Sequence, residues 1–397
     1  MIRKLILVVL LIALPVSCIN STFHQYMHSL DTGARCLDGS ESILYVDVGA
    51  GADAQKMPIF FKGGNNCEGD DLAGTLENCY LKSKTEHGSS KRYPKTMDLV
   101  NVSILSANKT INPVFYNWTK AYLIACDGSG HQGSKLAAVQ YKGEDLYFRG
   151  ANNTLASLQH LNDTYQLYLR PTIVLAGTST GGLAAMLWAN FVQENAIKSR
   201  VYVVADSAVI VSDFRSPLTN HTPVLEKAAN LFKIVNTETK IPSAECVKDY
   251  PNQRECLLAG VLANYIQTPV YLIESQYDNW AIHNVLELDC VPNGEAVSLL
   301  DCDIDEERYI REYRNASLKA FQNFTSRPNA GIFAISCVQH IFSLDDSFYQ
   351  PYYAIPTQTR NNVARSLEEY FQNPSASVNI RYDKVEWPFN IGCSGVI

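Results

Sequence analysis

The sequence predicts an α/β fold with a mostly parallel sheet, because short apolar runs alternate with stretches of helical periodicity along the chain. The apolar runs predict buried strands at 43–48, 58–61, 121–126, 173–176, 201–205, 269–275 and 330–336. Apolar residues at helical spacing predict helices over 154–169 and 361–371, and the Ala- and Leu-rich stretch after Gly182 favours another. No repeat, low-complexity linker or break in composition divides the chain, so residues 19–397 are predicted to form one domain with loop and helix insertions.

The composition excludes several classes of protein. The chain has 397 residues, of which 46% are hydrophobic and 18% charged, so it can bury a large core and is not compositionally disordered. A formal net charge of −7 and the lack of a basic cluster argue against binding to nucleic acid. After the first residues no apolar stretch is long enough to span a bilayer, so no membrane span is expected.

Residues 1–18 are predicted to be a secretory signal peptide. Basic residues precede an apolar run over 5–14, which is too short to cross a membrane. A bacterial lipoprotein site at Cys18 is an alternative, and Pro15 disfavours it. We therefore expect a protein that is secreted or held in the lumen of the secretory pathway.

The cysteine content agrees with export. Cys18 ends the signal, and the other ten of the eleven cysteines could form five disulfides in an oxidising compartment. These candidates are Cys36, Cys67, Cys79, Cys126, Cys246, Cys256, Cys290, Cys302, Cys337 and Cys393. Close spacing suggests short bridged loops for Cys67/Cys79, Cys246/Cys256 and Cys290/Cys302, although the sequence does not fix the pairing.

Glycosylation acceptors and metal ligands give a similar indication. Nine Asn-x-Ser/Thr sequons predict surface acceptor sites in a host that glycosylates exported proteins. They begin at Asn20, Asn101, Asn108, Asn117, Asn152, Asn162, Asn220, Asn315 and Asn323. His24 and His28 have i,i+4 spacing but no acidic or cysteine ligand near them, so they are predicted to be a solvated pair. No metal and no cofactor is expected.

The strand at 173–176 leads into a Gly-x-Ser-x-Gly motif at residues 177–181, which is followed by a sequence that favours helix. In a strand–turn–helix of this kind the serine lies on a strained turn, with its hydroxyl exposed above the sheet. Gly177 and Gly181 are the residue type that such a crowded turn requires. An ordinary βα loop of small residues is the alternative. In this context the motif predicts that Ser179 is a nucleophile.

Further candidate groups follow other predicted strands. The carboxyl ends of parallel strands share one edge of a sheet, where ligands bind. Gly63-Gly64, Ser179, Asp278 and His340 occur at such ends, in the chain order of an α/β-hydrolase triad. His340 would take the serine proton, and Asp278 would orient the imidazole. Backbone N–H groups of the candidate oxyanion hole belong to Gly64, Asn65 and Thr180.

Other residues compete for these roles. Asp206 also follows a strand, but that strand comes directly after the nucleophile helix, and a structural hydrogen-bonding role is favoured. His283 follows Asp278 by only five residues and is predicted to be a surface or hydrogen-bonded residue. Cys126 and Cys337 near strand ends are favoured as half-cystines over nucleophiles.

These motifs resemble those of the pectin acetylesterase/Notum family of secreted carboxylesterases, and the plant pectin acetylesterases more closely. The matching segments are 36–40, 112–118, 126–128, 148–150, 177–184, 277–282 and 336–340. The nucleophile segment is similar to the family's Gly-Cys-Ser-Ala-Gly-Gly turn. The resemblance implies an α/β-hydrolase-like fold with helices on both faces of the sheet, and the same Ser179, Asp278 and His340.

The chain also departs from the family pattern. Lys62 replaces a glutamate before the two glycines, and Asn65-Asn66 replaces an aromatic residue after them. Thr178 and Ile341 stand where plant members have cysteines, so one plant disulfide is expected to be absent. These changes leave the backbone donors in place and alter the wall of the pocket.

The sequence therefore predicts a secreted serine carboxylesterase that removes an acyl group, with acetyl on a polysaccharide as the favoured substrate. Its expected partner is an acylated polysaccharide or another acyl ester, and it is expected to act as a monomer. Notum-like removal of a fatty acyl group from a protein or lipid is the alternative, and pocket size and apolarity would separate the two. A catalytically silent, glycan-binding glycoprotein of the same fold is a third interpretation.

Overall fold

A computed structural model describes residues 22–64, 66–99, 102–215, 218–219, 222–235, 244–250, 255–256, 258–291, 298–356, 359–390 and 392–393. The predicted signal peptide lies outside these residues, as do the sequons at Asn20, Asn101 and Asn220. The candidate oxyanion residue Asn65 also lies outside them.

Twelve strands are present in the described part of the chain. They are β1 (Phe23–Met27), β2 (Ile43–Asp47), β3 (Met57–Phe61), β4 (Thr96–Met97), β5 (Lys120–Leu123), β6 (Val139–Tyr141), β7 (Glu144–Leu146), β8 (Thr172–Thr178), β9 (Arg200–Asp206), β10 (Val270–Ser275), β11 (Gly331–Ile335) and β12 (Ile380–Tyr382). Strands β6 and β7 form a separate hairpin, and the other strands form a single sheet.

The sheet has ten strands in the order β12-β11-β10-β9-β8-β3-β5-β2-β1-β4. All neighbours from β12 to β5 are parallel, whereas β2, β1 and β4 are added antiparallel at one end. Strand β8, which precedes Ser179, lies inside the parallel part, between β9 and β3. The predicted mostly parallel sheet is therefore confirmed.

The helices cover both faces of this sheet. They are α1 (Leu72–Ser83), α2 (Gly150–Tyr165), α3 (Thr180–Asn195), α4 (Val224–Val235), α5 (Ala244–Asp249), α6 (Ala259–Leu262), α7 (Asn279–Asn284), α8 (Ile304–Thr325) and α9 (Val363–Gln372). Helices α2, α3, α6 and α8 pack on one face, and α9 packs on the other.

Alternation along the buried strands produces the two cores. In β8 the side chains of Ile173 and Leu175 enter the core beneath α3, whereas Val174 and Ala176 enter the core beneath α9. Successive side chains of a strand point to opposite faces, so a strand covered on both sides is apolar throughout. This explains why the central strands were predictable as continuous apolar runs.

The remaining strands carry weaker signals. Strands β1, β4, β6, β7 and β12 were not predicted, because they are short and partly exposed. The prediction that His24 and His28 are both solvated is wrong for His28. His24 is exposed on β1, but His28 is buried, and its Nε2 lies 2.9 Å from Ser157 Oγ on α2.

Five disulfides join the ten candidate cysteines. They are Cys36–Cys126, Cys67–Cys79, Cys246–Cys256, Cys290–Cys302 and Cys337–Cys393. The three short loops suggested by spacing are among them. Two of the bridges hold loops at the ends of strands that point toward Ser179, because Cys67 follows β3 and Cys126 follows β5.

The described sequons differ in exposure. Asn108, Asn315 and Asn323 are exposed, as an acceptor must be. Asn117, Asn152 and Asn162 are half-buried, and Asn152 Oδ1 is enclosed. In the described ranges, no helix combines the length and apolarity required to cross a membrane.

Burial of His28 predicts a specific loss of stability in acid. Burial, followed by the charge of nearby His160, lowers the pKa of His28 to about 4. The unfolded chain takes up this proton near pH 6.5, so stability falls as the pH drops from 6.5 toward 4, by at most about 1.4 kcal/mol per pH unit. Urea unfolding at pH 7, 6 and 5 should show a shallower pH dependence for His28→Gln than for the unaltered chain. His24→Gln, which changes an exposed histidine of the same segment, is the control. Equal slopes for His28→Gln and the unaltered chain would contradict the prediction.

Candidate active site

Ser179 lies on a strained turn between β8 and α3. Its backbone has φ 53° and ψ −125°, a conformation that non-glycine residues rarely adopt. The Ser179 N–H donates to the carbonyl of Asp206 at the end of β9, which ties the turn to the neighbouring strand. This is the backbone geometry that the Gly-x-Ser-x-Gly motif predicts for an exposed nucleophile.

Close backbone contacts explain the glycines of the motif. A Cβ on Gly177 would lie 2.4 Å from the Gly181 carbonyl group, and a Cβ on Gly181 would lie 2.1 Å from the Phe61 carbonyl oxygen. Strand β3, which ends at Phe61, therefore runs directly against the turn. Any other residue at either glycine would push the turn and β3 apart.

His340 and Asp278 are in direct contact at the same edge of the sheet. His340 Nδ1 lies 2.8 Å from Asp278 Oδ2, and the other Asp278 oxygen accepts a hydrogen bond from Ala281 N at the start of α7. Trp280 stacks on the imidazole, with ring centroids 5.7 Å apart. Trp280 also lines a cleft with Ser179, which places this pair beside the serine.

Electrostatics favour a protonated imidazole at this position. Burial alone would lower the pKa of His340, but the charge and hydrogen bond of Asp278, with the charge of Asp206, outweigh it and raise the pKa above its ordinary value. Asp278 thus fixes the ring orientation and stabilises the imidazolium. No hydrogen bond joins Ser179 to His340 in the described part of the chain, and such bonds are often long in unliganded sites.

Asp206 binds the loop that carries His340 rather than the imidazole itself. Its Oδ2 accepts hydrogen bonds from Phe342 N at 3.0 Å, Ser343 N at 2.7 Å and Ser343 Oγ at 2.6 Å. Burial raises the pKa of Asp206 to about 6, although these hydrogen bonds and His340 oppose the shift. The contacts agree with the structural role that the sequence favours for this residue.

Glu274 is a buried acid that sequence reasoning missed. It lies near the carboxyl end of β10, and its Oε1 accepts hydrogen bonds from Ala208 N at 3.2 Å and Val209 N at 3.1 Å. Burial raises its pKa well above the ordinary value, and the charges of Asp278 and Asp206 add to the shift. A single glutamate in an apolar strand was the only sequence signal. Glu274 holds the segment after β9 that lines the cleft.

The glycines after β3 lie against the nucleophile turn. A Cβ on Gly63 would lie 2.3 Å from the Thr178 carbonyl oxygen, and Gly64 has φ +85°. Gly64 N–H donates to Thr180 Oγ1 at 3.1 Å, so this candidate oxyanion donor is already hydrogen-bonded. It is free for a substrate only when the Thr180 hydroxyl rotates away.

A cleft of about 770 Å³, open to solvent, lies over Ser179. Its apolar lining comes largely from α4, α3 and the segments after β9 and β10, in Leu183, Ala208, Ile210, Val224, Leu225, Ala228, Leu231, Phe232, Ala259 and Trp280. Its polar lining includes Asn66, Glu68, Ser129, Gln132, Thr180 and Ser212. A mostly apolar cleft with a few convergent polar groups is typical of a ligand site.

A histidine considered for the triad and a possible metal-ligand group lie outside this site. His283 is half-buried on α7, away from the contact between Asp278 and His340, and its Nδ1 has no partner among the described residues. Within the described ranges, a possible metal-ligand group consists of Cys290, Cys302 and Glu306. The two cysteines form a disulfide, so their sulfurs cannot serve as thiolate ligands.

Comparison with known proteins gives this geometry a context. The family model described as Pectinacetylesterase matches residues 19–394. The chain belongs to the pectinacetylesterase family. The family is one of carboxylic ester hydrolases, so the resemblance seen in the motifs is confirmed.

Among relatives of this family member, Pectin acetylesterase 11 of Arabidopsis thaliana is 27% identical over 88% of this chain and 86% of its own length. The Palmitoleoyl-protein carboxylesterase NOTUM of Schmidtea mediterranea is 24% identical over 89% of this chain and 64% of its own length. A crystal structure of the Wnt deacylase Notum from Drosophila superposes with a TM-score of 0.74 at 20% identity, covering 94% of this chain and 99% of that one. The α/β-hydrolase-like fold is thereby confirmed.

Lys62, which precedes the two glycines after β3, makes defined contacts. Lys62 Nζ donates to the Tyr93 hydroxyl at 2.8 Å and lies over the ring of Tyr93. Its carbonyl oxygen lies 2.9 Å from His131 Nε2, which joins the Gly63-Gly64 loop to the loop after β5. Because a carbonyl oxygen only accepts, His131 Nε2 carries the hydrogen of this bond. These contacts of Lys62 and His131 anchor the loop that begins at Gly63.

The role of Asp206 in this family member can be tested by hydrogen exchange. Asp206→Ala removes the acceptor of the Phe342 and Ser343 amides, so their exchange should become about 10- to 100-fold faster, since a hydrogen bond to a charged group contributes about 1.5–3 kcal/mol. Asp206→Asn, which keeps an acceptor oxygen without the charge, should give a smaller increase. Amides of β5 serve as the internal reference. Unchanged exchange at both positions in Asp206→Ala would show that Asp206 does not hold the loop.

Proposed function

We propose that the chain is a serine carboxylesterase in which Ser179 is the nucleophile, His340 the general base and Asp278 the residue that orients the imidazole. The observation that carries the proposal is the 2.8 Å contact of Asp278 Oδ2 with His340 Nδ1. It occurs at the edge of the sheet where Ser179 occupies its strained turn. This combination supplies a nucleophile, a base and an orienting group.

The first half of the reaction acylates the serine. Ser179 Oγ attacks the ester carbonyl carbon while His340 Nε2 takes the hydroxyl proton. Asp278 keeps the remaining ring proton on Nδ1 and stabilises the imidazolium, in accord with the raised pKa of His340. Collapse of the tetrahedral intermediate breaks the bond to the alcohol oxygen, which receives the proton from His340 and leaves.

The second half repeats these steps with water. His340 takes a proton from a water molecule that attacks the acyl-enzyme, and Ser179 leaves with that proton returned. In both halves the oxyanion would be stabilised by the backbone N–H of Thr180 and by donors of the loop at Gly64 and Asn65. The Gly64 N–H contributes once its bond to Thr180 Oγ1 is released.

For the substrate we favour an O-acetyl ester on a polysaccharide. The support is the family and the names of its plant relatives, which are pectin acetylesterases. The apolar part of the cleft offers a surface on which the acyl methyl group can pack. Five disulfides support the related proposal that the enzyme works in an oxidising, extracellular compartment, since such bonds are rare in the cytosol.

Substitution of the nucleophile tests the proposal. Ser179→Ala should reduce kcat/KM for 4-nitrophenyl acetate by about 10⁴-fold or more, because the remaining oxyanion donors cannot replace covalent catalysis. A phosphonate probe should label the unaltered chain at Ser179 and should not label the variant. Circular dichroism should show that the variant is folded.

Retained activity in Ser179→Ala would refute the assignment of the nucleophile. A correctly folded unaltered chain that neither turns over any acyl ester nor reacts with the probe would instead support the catalytically silent, glycan-binding alternative. His340→Ala distinguishes a reactive serine from a merely accessible one, since labelling should fall with loss of the base.

A second candidate is hydrolysis of longer acyl esters, as in the Notum-like alternative. The observation that favours it is the apolar surface that α4 contributes to the cleft at Ser179. This surface is formed by Leu225, Ala228, Leu231 and Phe232. The cleft of about 770 Å³ is larger than an acetyl methyl group requires. Each buried methylene would contribute about 0.8 kcal/mol.

A chain-length series separates the two candidates. If a long acyl group packs on α4, kcat/KM should rise from acetyl through butyryl to octanoyl esters. Ala228→Trp should then reduce octanoyl turnover by about tenfold or more and leave acetyl turnover within about twofold. Glu226→Trp, at an exposed position of the same helix, is the matched control. Highest activity on acetyl esters, with octanoyl turnover insensitive to Ala228→Trp, would reject the second candidate.

A further inference from the structure

His131, in the loop after β5, is buried and has a strained backbone. Only 2% of its surface is exposed, and its φ angle is 65°, a conformation that non-glycine residues rarely adopt. Backbone of this kind persists only where surrounding contacts hold it, and it is concentrated at functional sites. The contacts of His131 indicate what its conformation serves.

The main chain of His131 is attached to its own loop and to the nucleophile helix. Its N–H donates to Oδ1 of the buried Asp127 at 3.4 Å, and its carbonyl oxygen accepts a hydrogen bond from Trp188 Nε1 at 3.3 Å. Trp188 is a buried residue of α3, the helix that begins directly after Ser179. His131 and the turn that carries the serine are thus attached to the same helix.

The imidazole of His131 contacts the end of β3. Its Nε2 donates to the Lys62 carbonyl oxygen at 2.9 Å. Its ring stands edge-on to Phe61, with ring centroids 5.2 Å apart and ring planes at 89°. The Phe61 carbonyl is the group against which Gly181 of the nucleophile turn packs. One side chain therefore contacts both residues that precede Gly63.

The Gly63-Gly64 loop is held from two sides. In the sheet order, β3 lies between β8 and β5. On the β8 side, the loop lies against the Thr178 carbonyl and donates to the Thr180 hydroxyl. On the β5 side, the imidazole of His131 holds the carbonyl of Lys62, the last residue before the two glycines. Because a peptide unit is planar, a fixed carbonyl also fixes the direction of the N–H that follows it.

We infer that His131 is a positioning residue of the proposed reaction, which fixes the backbone donors of the Gly63-Gly64 loop relative to Ser179. The inference rests on the proposed esterase function and concerns the same site. Among the described residues His131 does not line the cleft, so it acts through the loop rather than on the ester. Oxyanion donors act on charge that develops in the transition state, and a displacement of about 1 Å can lower the rate about 10²-fold. Loss of the imidazole should therefore lower kcat and kcat/KM alike.

Replacement of the imidazole tests this role. His131→Leu removes the donor, and should reduce kcat and kcat/KM for 4-nitrophenyl acetate by a similar factor of about 10- to 100-fold. Phenylboronic acid forms a tetrahedral anionic adduct with a reactive serine, so its inhibition constant should rise by the same factor as kcat/KM falls. His131→Gln keeps an N–H donor for the Lys62 carbonyl, and should restore most of the turnover and of the affinity for the boronate.

A second buried histidine provides the matched control. His28 is also 2% exposed, and its Nε2 lies 2.9 Å from Ser157 Oγ on α2. His28→Leu should leave kcat/KM and the affinity for the boronate within about twofold of the unaltered chain. If His131→Leu does not fold, Trp188→Phe removes only the donor to the His131 carbonyl. It should lower kcat/KM and boronate affinity in the same proportion, by at least about threefold.

Three results would overturn the inference. They are a folded His131→Leu chain with kcat/KM within about twofold of the unaltered chain, a His131→Gln chain no more active than His131→Leu, and a loss of turnover without a matching loss of boronate affinity. The last of these would show a general structural role. Absence of Ser179-dependent turnover in the unaltered chain would refute the esterase proposal itself, and this inference with it.

Discussion

The site depends on the close backbone crossing between the end of β3 and the turn after β8. Gly177 and Gly181 permit contacts that no Cβ could tolerate, and the crossing holds Ser179 at a positive φ angle. The same crossing fixes the loop that leaves β3, since Gly64 N–H reaches the hydroxyl of Thr180. The backbone positions of the proposed nucleophile and of Gly63 and Gly64 are therefore coupled. A side chain introduced at either glycine would displace both, whatever it did to the serine itself.

A second constraint is the presence of several acids around one imidazole. Burial raises the pKa values of Asp206 and Glu274, and the charges of Asp278 and Asp206 add to the shift of Glu274. Asp278 contacts the imidazole directly, whereas Asp206 and Glu274 accept backbone hydrogen bonds and have raised pKa values. The three carboxyl groups thus do different work. Asp278 faces the imidazole of His340, Asp206 holds the loop that follows His340, and Glu274 holds the segment after β9.

Sequence reasoning succeeded where a pattern has one physical meaning. The buried parallel strands were predictable because both faces of β8 are covered, and the residues at the carboxyl ends of these strands suggested Ser179, Asp278 and His340. Strand β12 was not predicted because it is a three-residue edge strand. Glu274 was not recognised as a site residue because it lies inside an apolar run. That Asn66 and Gln132 line the cleft could not be predicted from the sequence, for another reason. Their positions depend on loops whose course is set by disulfides and by the buried Asp127, and no local periodicity encodes that course.

The cleft joins parts of the chain that can change independently. Ser179 and His340 are positioned by the central sheet, where a change in backbone would disturb the core on both faces. Much of the apolar lining of the cleft belongs to α4, which lies in the insertion between β9 and β10. Much of the polar lining belongs to the loops after β3 and β5. An ester has an acyl side and an alcohol side. Under the proposed esterase function, substitutions on α4 or in these loops would change the substrate preference while the geometry at Ser179 stays fixed, as expected when one fold serves several functions.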